Sequence, residues 1–160
     1  MPELPALASA SPPNDLASRA EVHDLVVGFY REIVVDEVLA PVFGEVAEVD
    51  WTVHLPRLVD YWCRILLGQH GYAGQVMAVH RHLHGLEPIT LEHCDRWYEL
   101  WDRSVTARWA GPTADRAKLH AATLMAGMAK HLFDLEWAAP EAVEECAGAA
   151  SAEPLAVAPA

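Results

Sequence analysis

The chain has few cysteines and few basic residues. Its 160 residues include 3 cysteines and 11 Lys plus Arg, against 23 Asp plus Glu, so the net charge is -12. Cys63, Cys94 and Cys146 show no Cys-x-x-Cys spacing, which argues against a disulfide framework and a zinc knuckle. A chain this acidic lacks the broad basic face that contacts phosphates, so we expect no nucleic-acid partner.

Long apolar runs and a basic leader are also missing. No stretch approaches the roughly 20 apolar residues that a bilayer-spanning helix needs. The N-terminal stretch MPELPALASASPPND lacks a basic start followed by an apolar core. We therefore expect a soluble, cytoplasmic protein with reduced thiols and no membrane partner.

The length fits one domain that can bury a sizeable core. Residues 1–15 and 138–160 are rich in Ala, Pro and other small residues, and they lack the large side chains that would offset chain entropy. We predict a disordered N-terminal extension over 1–15, a folded domain over 16–137 and a disordered tail over 138–160.

Apolar residues in the central part recur at helical steps, which predicts an all-α fold. The first helix is predicted after a capping-box pattern, Ser18 and Glu21. Further helices are predicted after Asp50 and Thr90, over the histidine-rich stretch, and between the prolines at positions 112 and 140. Pro56 interrupts the second helix, so the regular helix either starts near it or bends there.

Three histidines lie two residues apart, at His80, His82 and His84. Residues two apart on a helix point about 200° apart, so at most His80 and His84 can face a common point. The spacing leaves three interpretations open: a zinc site, one axial haem ligand with two bystanders, or solvated polar surface.

Three other polar aromatic residues fall on apolar helix faces, namely Tyr30, His54 and Trp97. Each alone is typical of an ordinary core or boundary position. Their combination with a candidate metal-binding histidine is what makes the pattern informative.

Five phrases occur in order along the chain: GFYREI, LAPVF, W..HL..L.DYW...LLG, Y.GQ.M.VH and DRWYELW. Their order and spacing over residues 18–135 resemble the truncated haemoglobins, and within them the third group. The resemblance implies a truncated globin-like two-over-two helical sandwich that encloses one b-type haem, with His80 as the proximal iron ligand.

The same resemblance implies site residues on both sides of the haem. Tyr30, His54 and Trp97 would be the polar distal residues. An arginine would pair with a haem propionate, because a guanidinium fork suits a carboxylate. Residues expected at the cofactor are Phe29, Phe43, Leu58, Tyr61, Trp62 and Met77, with Arg57 and Arg81 as the two candidates for the propionate.

The implied function is binding of dioxygen and related diatomic ligands, with nitric oxide dioxygenation or peroxidase-like turnover of a peroxide as candidate reactions. Both reactions need a separate electron donor, because nothing in the chain resembles a flavin or nicotinamide domain. We expect a monomer or weak homo-oligomer. The alternatives are a haem-free helical sensor or binding module and a His-cluster zinc protein.

The chain departs from the family pattern at three places. Pro56 affects the placement of His54. A longer stretch between the histidines and Trp97 makes His82 and His84 alternative ligands. Cys94 stands where the family often has Phe, and we expect it to be an inert small hydrophobe.

Overall fold

The structure, a computed structural model, describes residues 13–140, and within that range it contains helices and no strand. The elements are α1 (Arg19–Ile33), a π-helical turn (Val42–Val46), α2 (Trp51–Leu67), α3 (Val76–Leu86), α4 (Leu91–Thr106) and α5 (Pro112–Leu132). The all-α prediction is confirmed. Each helix in this range is too short or too polar to span a bilayer. Residues 1–12 and 141–160 lie outside the described range, so the predicted disorder and domain boundaries stay predictions.

Side-chain caps are present at the predicted starts of α1 and α2. The amide of Glu21 donates to the Ser18 hydroxyl at 3.3 Å, and the Ser18 amide donates back to the Glu21 carboxylate at 3.0 Å. Asp50 accepts from the Thr52 amide at 3.0 Å at the start of α2. These bonds satisfy amides that have no partner inside the helix.

Pro56 lies inside α2, which begins five residues earlier at Trp51. Of the two alternatives predicted, the one in which the regular helix starts near Pro56 is therefore wrong, and a bend at Pro56 stays a prediction. Proline lacks an amide proton, so one helical hydrogen bond is missing here. The turn before it is intact, because the His54 amide donates to the Asp50 carbonyl at 2.9 Å. His54 is thus held in regular helix.

The helices pack as two pairs, α1 with α2 and α4 with α5, and α1 also packs on α4. The main core lies where the pairs meet. Phe29 and Leu25 from α1 and Trp101 and Leu100 from α4 are almost completely buried there. The N-terminal segment joins this core, since the Asp15 carboxylate accepts from the first amides of α5 at 2.8 and 2.9 Å.

Helix α3 differs from the others because none of its side chains is fully buried. It packs on α5 through a second apolar cluster, which contains Met125, Met128 and Phe133 and is contacted by Val76. Among the described residues, its packing on α2 is slight by comparison. We call the region between α2 and α3 the cleft.

A buried ion pair fixes the corner after α1. The Asp36 side chain is only 4% exposed and accepts from Arg96 Nε at 2.7 Å. It also accepts from the amides of Val38 and Leu39, both at 3.0 Å. Burial acts to raise the pKa of Asp36, but Arg96 and the two amides outweigh it and lower that pKa below 3.8. The pair ties α1 to α4 next to Trp97.

We expect Asp36→Asn to lower the free energy of unfolding by about 2 kcal/mol at neutral pH, because it removes a charged acceptor from three donors. The folded pKa of Asp36 lies below its unfolded value, so the stabilisation is present above pH 3.8 and is lost as the pH falls through the folded pKa. Urea unfolding curves at several pH values measure both effects.

Glu99→Gln is the matched control, since Glu99 is the exposed second partner of Arg96 at 3.3 Å. It should change stability by less than about 0.5 kcal/mol. An Asp36→Asn variant as stable as the original chain at neutral pH would contradict the assignment.

Candidate functional site

His80 lies on α3 with a fixed ring orientation. Its Nδ1 is 2.7 Å from the Val76 carbonyl oxygen, one helical turn earlier. A carbonyl only accepts, so Nδ1 carries the proton and Nε2 has a free lone pair. Burial lowers the pKa of His80, and the bond to Val76 opposes this. The ring is therefore a neutral imidazole with Nε2 available as a metal ligand.

The two other histidines of the stretch are in different situations. His82 is exposed to solvent. His84 accepts a hydrogen bond on Nδ1 from the Ile89 amide at 3.0 Å, and its ring lies 5.0 Å from that of Phe133. A neutral imidazole that accepts on Nδ1 carries its proton on Nε2. Only His80 combines partial burial with a free Nε2.

The three histidines do not assemble a zinc site. Within residues 13–140, no group of three His, Cys, Asp or Glu side chains is placed to hold a metal ion. The helical geometry explains this, because successive histidines two apart point to different sides. The structure therefore gives the zinc alternative no support in the described part of the chain.

Tyr30 is at the centre of an aromatic cluster on the other side of the cleft. Its ring centroid lies 4.8 Å from that of Phe29 and 6.2 Å from that of His54, both with edge-on geometry. Burial raises the pKa of Tyr30 strongly, while the Trp97 indole, acting as a hydrogen-bond donor, lowers it. The phenol consequently stays protonated and can donate a hydrogen bond over the physiological pH range.

Trp51 is a member of this cluster that sequence reasoning missed. Its ring centroid lies 5.3 Å from Tyr30 and 5.8 Å from His54, and it stacks on Phe43 at 6.0 Å. Trp51 precedes His54 by one helical turn, so the i, i+3 spacing could have indicated it. Phe43 comes from the π-helical turn, which brings it into contact with Tyr30 at 5.9 Å.

His54 on α2 is partly buried, as is His80 on α3. Its pKa is lowered by burial, then by the nearby His80, and then by Arg57. A positive charge on either of these residues therefore disfavours protonation of His54. The predicted distal histidine thus lies on α2 and the predicted proximal histidine on α3, and their placement on two sides of a haem stays a prediction.

Trp97 connects the distal cluster to the core. Its ring lies 5.5 Å from that of Phe29 and stacks at 6.0 Å on that of Trp101. Trp97 is partly buried. It contacts Trp101 in the core and Phe29, which in turn contacts Tyr30. The predicted distal residues Tyr30, His54 and Trp97 thus lie in one connected cluster.

Three side chains of α2 that were predicted to contact the porphyrin differ in their surroundings. Leu58 is partly buried and packs against the core. Trp62 is 2% exposed and stacks on Trp101 at 4.2 Å. The Tyr61 hydroxyl lies 2.6 Å from His120 Nε2 on α5. Contact of these three side chains with a porphyrin stays a prediction.

The remaining predicted residues lie at the edge of the cleft. Met77 on α3 is 39% exposed. Arg57 and Arg81 are exposed. The Arg57 charge lowers the pKa of His54 and acts in the same direction on Tyr72. Pairing of Arg57 or Arg81 with a haem propionate stays a prediction.

The five helices and the pairing of α1–α2 with α4–α5 make this a truncated globin fold. The crystal structure of the group III truncated hemoglobin from Campylobacter jejuni matches with a TM-score of 0.67 at 21% identity, covering 76% of this chain and 96% of that one. The fold class predicted from the sequence is confirmed.

In sequence, the chain is similar to the group 3 truncated hemoglobin ctb of Campylobacter jejuni subsp. jejuni serotype O:2. The two are 28% identical over 80 residues, which are 48% of this chain and 61% of that protein. The chain thus matches less than two thirds of its curated relative. No protein-family model matches it. The resemblance to the third group of truncated haemoglobins is confirmed.

Cys94 is fully buried beneath Trp97, and burial raises the pKa of its thiol to about 11. Burial also raises the pKa of Cys63. Because the thiolate is the reactive form, we expect neither cysteine to be alkylated by iodoacetamide in the native protein at mild alkaline pH. Mass spectrometry of peptides should show both cysteines modified only after denaturation. Rapid labelling of Cys94 in the native protein would contradict the prediction that it is an inert small hydrophobe.

Proposed function

We propose that this chain binds one b-type haem between α2 and α3, with His80 as the proximal iron ligand. We further propose that it binds dioxygen and related diatomic ligands, including nitric oxide, on the side of Tyr30. The observation that carries the proposal is the hydrogen bond from His80 Nδ1 to the Val76 carbonyl, 2.7 Å long, which leaves the Nε2 lone pair available to a metal.

The donor set fits a haem better than an isolated metal ion. A haem needs one strong axial nitrogen and apolar side chains around the porphyrin. His80 supplies the nitrogen, and Leu58, Met77 and Phe43 are apolar side chains at or near the cleft. The cysteines at 63, 94 and 146 have no Cys-x-x-Cys-His spacing, so covalent attachment is not expected and the b-type is proposed.

Similarity to known proteins supports the same conclusion. The curated relative and the solved structure are both named as truncated hemoglobins of the third group. The matched part of the relative is incomplete, so binding of haem and gas by this chain is inferred from the site geometry as well as from the likeness.

The distal residues determine how a ligand is held. When bound, the haem supplies the iron that coordinates a diatomic ligand. The Tyr30 phenol is then placed to donate a hydrogen bond to a ligand that carries partial negative charge, and the Trp97 indole, which donates to the phenol when no ligand is bound, can donate to the ligand instead. Both groups are fixed by packing against Phe29, so little reorganisation is needed and ligand release is slow.

Peroxide reduction is a second candidate function, favoured by His54. Its imidazole lies in the same aromatic cluster as Tyr30 and Trp51, where it can accept a proton from a peroxide and return it. An electron donor outside the described residues must supply the reducing equivalents.

We expect His80→Ala to abolish ordinary haem retention while the helices stay formed, since the side chain supplies the axial nitrogen and is not part of the core. The absorption spectrum of the reduced protein, with and without carbon monoxide, measures binding, and circular dichroism measures helix content. His82→Ala is the matched control on the same helix, because His82 is exposed.

An unchanged haem spectrum and affinity in His80→Ala would remove the assignment. A chain that stays colourless after incubation with haemin would favour a haem-free sensor or binding module.

We expect Tyr30→Phe to accelerate oxygen dissociation about 10- to 150-fold. The substitution deletes one hydrogen bond to a charged acceptor, worth about 1.5 to 3 kcal/mol, and about 1.4 kcal/mol corresponds to a factor of ten. Stopped-flow measurement of the off-rate tests this. Tyr98→Phe is the control, since Tyr98 contacts Trp137 outside the cluster, and equal off-rates in all three proteins would contradict the role of Tyr30.

A further inference from the structure

A continuous series of aromatic rings runs from the distal cluster through the core. Trp97 stacks on Trp101 with ring centroids 6.0 Å apart and planes 4° apart. Trp101 in turn stacks on Trp62 at 4.2 Å and 22°. Aromatic pairs usually have ring centroids about 4.5 to 7 Å apart. The first pair lies within this range, and the second pair is slightly closer. Three indoles from α2 and α4 are thus in direct succession.

The series continues to the protein surface. The Trp62 ring centroid lies 5.5 Å from that of Tyr61, and Tyr61 lies 5.2 Å from Tyr72. Tyr72 is partly exposed in the segment between α2 and α3. This segment also lines a surface cavity of about 480 Å³ together with Arg64. The series of rings therefore runs from Trp97 in the distal cluster to the partly exposed Tyr72.

The hydroxyl of one ring in the series, Tyr61, lies within hydrogen-bond distance of a base. The Tyr61 oxygen lies 2.6 Å from Nε2 of His120. Burial lowers the pKa of His120, so its imidazole is neutral near pH 7 and can accept the phenolic proton. Burial raises the pKa of Tyr61 to about 12. The phenol thus keeps its proton until an electron is removed.

The central tryptophan of the series, Trp101, donates to a much weaker base. The buried Trp101 indole donates to the Ala117 carbonyl at 3.1 Å, and a carbonyl oxygen is too weak a base to take the proton. An oxidised indole at this position therefore keeps its charge and passes the oxidation on. The tryptophans are thus suited to relay an electron. Tyr61 is suited to lose an electron and a proton together.

We propose that this series carries single electrons between the distal cluster and the surface at Tyr72, and that Tyr61 is the ring that is oxidised, giving its phenolic proton to His120. The inference rests on the proposed function for its physiological oxidant, a peroxide reduced at the cofactor.

The electrons and protons balance. Reduction of one peroxide to two waters takes two electrons and two protons. Each electron leaves Trp97, which is refilled from Tyr61 through Trp101 and Trp62. Tyr61 becomes a neutral radical as its O–H bond breaks, and the proton moves to His120 Nε2. A one-electron reductant, such as a small phenol at the surface, then restores Tyr61 as His120 returns the proton, and the phenol releases its own proton to solvent. Two such cycles supply the two electrons, and the two protons that the peroxide consumes come from solvent.

Light-driven oxidation of the full-length chain tests the inference without any cofactor. Tris(bipyridine)ruthenium and persulfate generate an oxidant in solution, and electron paramagnetic resonance of rapidly frozen samples detects the tyrosyl radical. We expect the main tyrosyl signal to be lost in Tyr61→Phe, which keeps the ring contacts. Tyr98→Phe, outside the series, should keep it.

The proton transfer to His120 has its own test. Glutamine can still hydrogen-bond to Tyr61 but cannot hold its proton, so His120→Gln should form the radical about 100-fold more slowly, the contribution of a positioned base. A purely structural contact would leave this rate unchanged. A tyrosyl signal of normal size in Tyr61→Phe, or a normal rate in His120→Gln, would overturn the inference.

The same variants can be loaded with haemin and treated with hydrogen peroxide. The expected radical pattern is the same as with light. A chain that takes up no haem would contradict the proposed function, whereas the light-driven signal would still decide the electron path. The two failures are therefore distinguishable.

Discussion

The hydrogen bond from His80 Nδ1 to the Val76 carbonyl is the interaction on which the account of this site depends. It fixes the tautomer and the rotation of one ring, and so decides which nitrogen has a free lone pair. The bond spans a single helical turn of α3 and needs no residue from elsewhere in the chain. A helix with no fully buried side chain can therefore still present a well-oriented ligand.

The opposite side of the cleft is built differently, from packing between distant elements. Tyr30 is held by Phe29 from its own helix, by Phe43 from the π-helical turn and by Trp51 from α2. Edge-on ring contacts of this kind orient side chains as well as bury them. The aromatic cluster around Tyr30 and the locally oriented His80 ring are the two parts of the proposed site.

Features with local causes could be predicted from the sequence, and features that depend on distant contacts could not. The capping box of α1 and the Asp50 cap of α2 involve neighbours within three residues. The pair of Tyr61 and His120 joins positions 59 residues apart and has no local pattern. The roles proposed for Tyr30 and Trp97 rest on the family resemblance, because burial alone does not separate a ligand donor from a core aromatic.

The most direct test of the central claim is the resonance Raman spectrum of the reduced protein loaded with haem. Histidine labelled with ¹⁵N should shift the iron–nitrogen stretching line of the original chain. The line should disappear in His80→Gly and return when free imidazole is added, because a soluble ring can then occupy the position of the missing side chain. An unchanged line in His80→Gly without imidazole would show that another residue holds the iron.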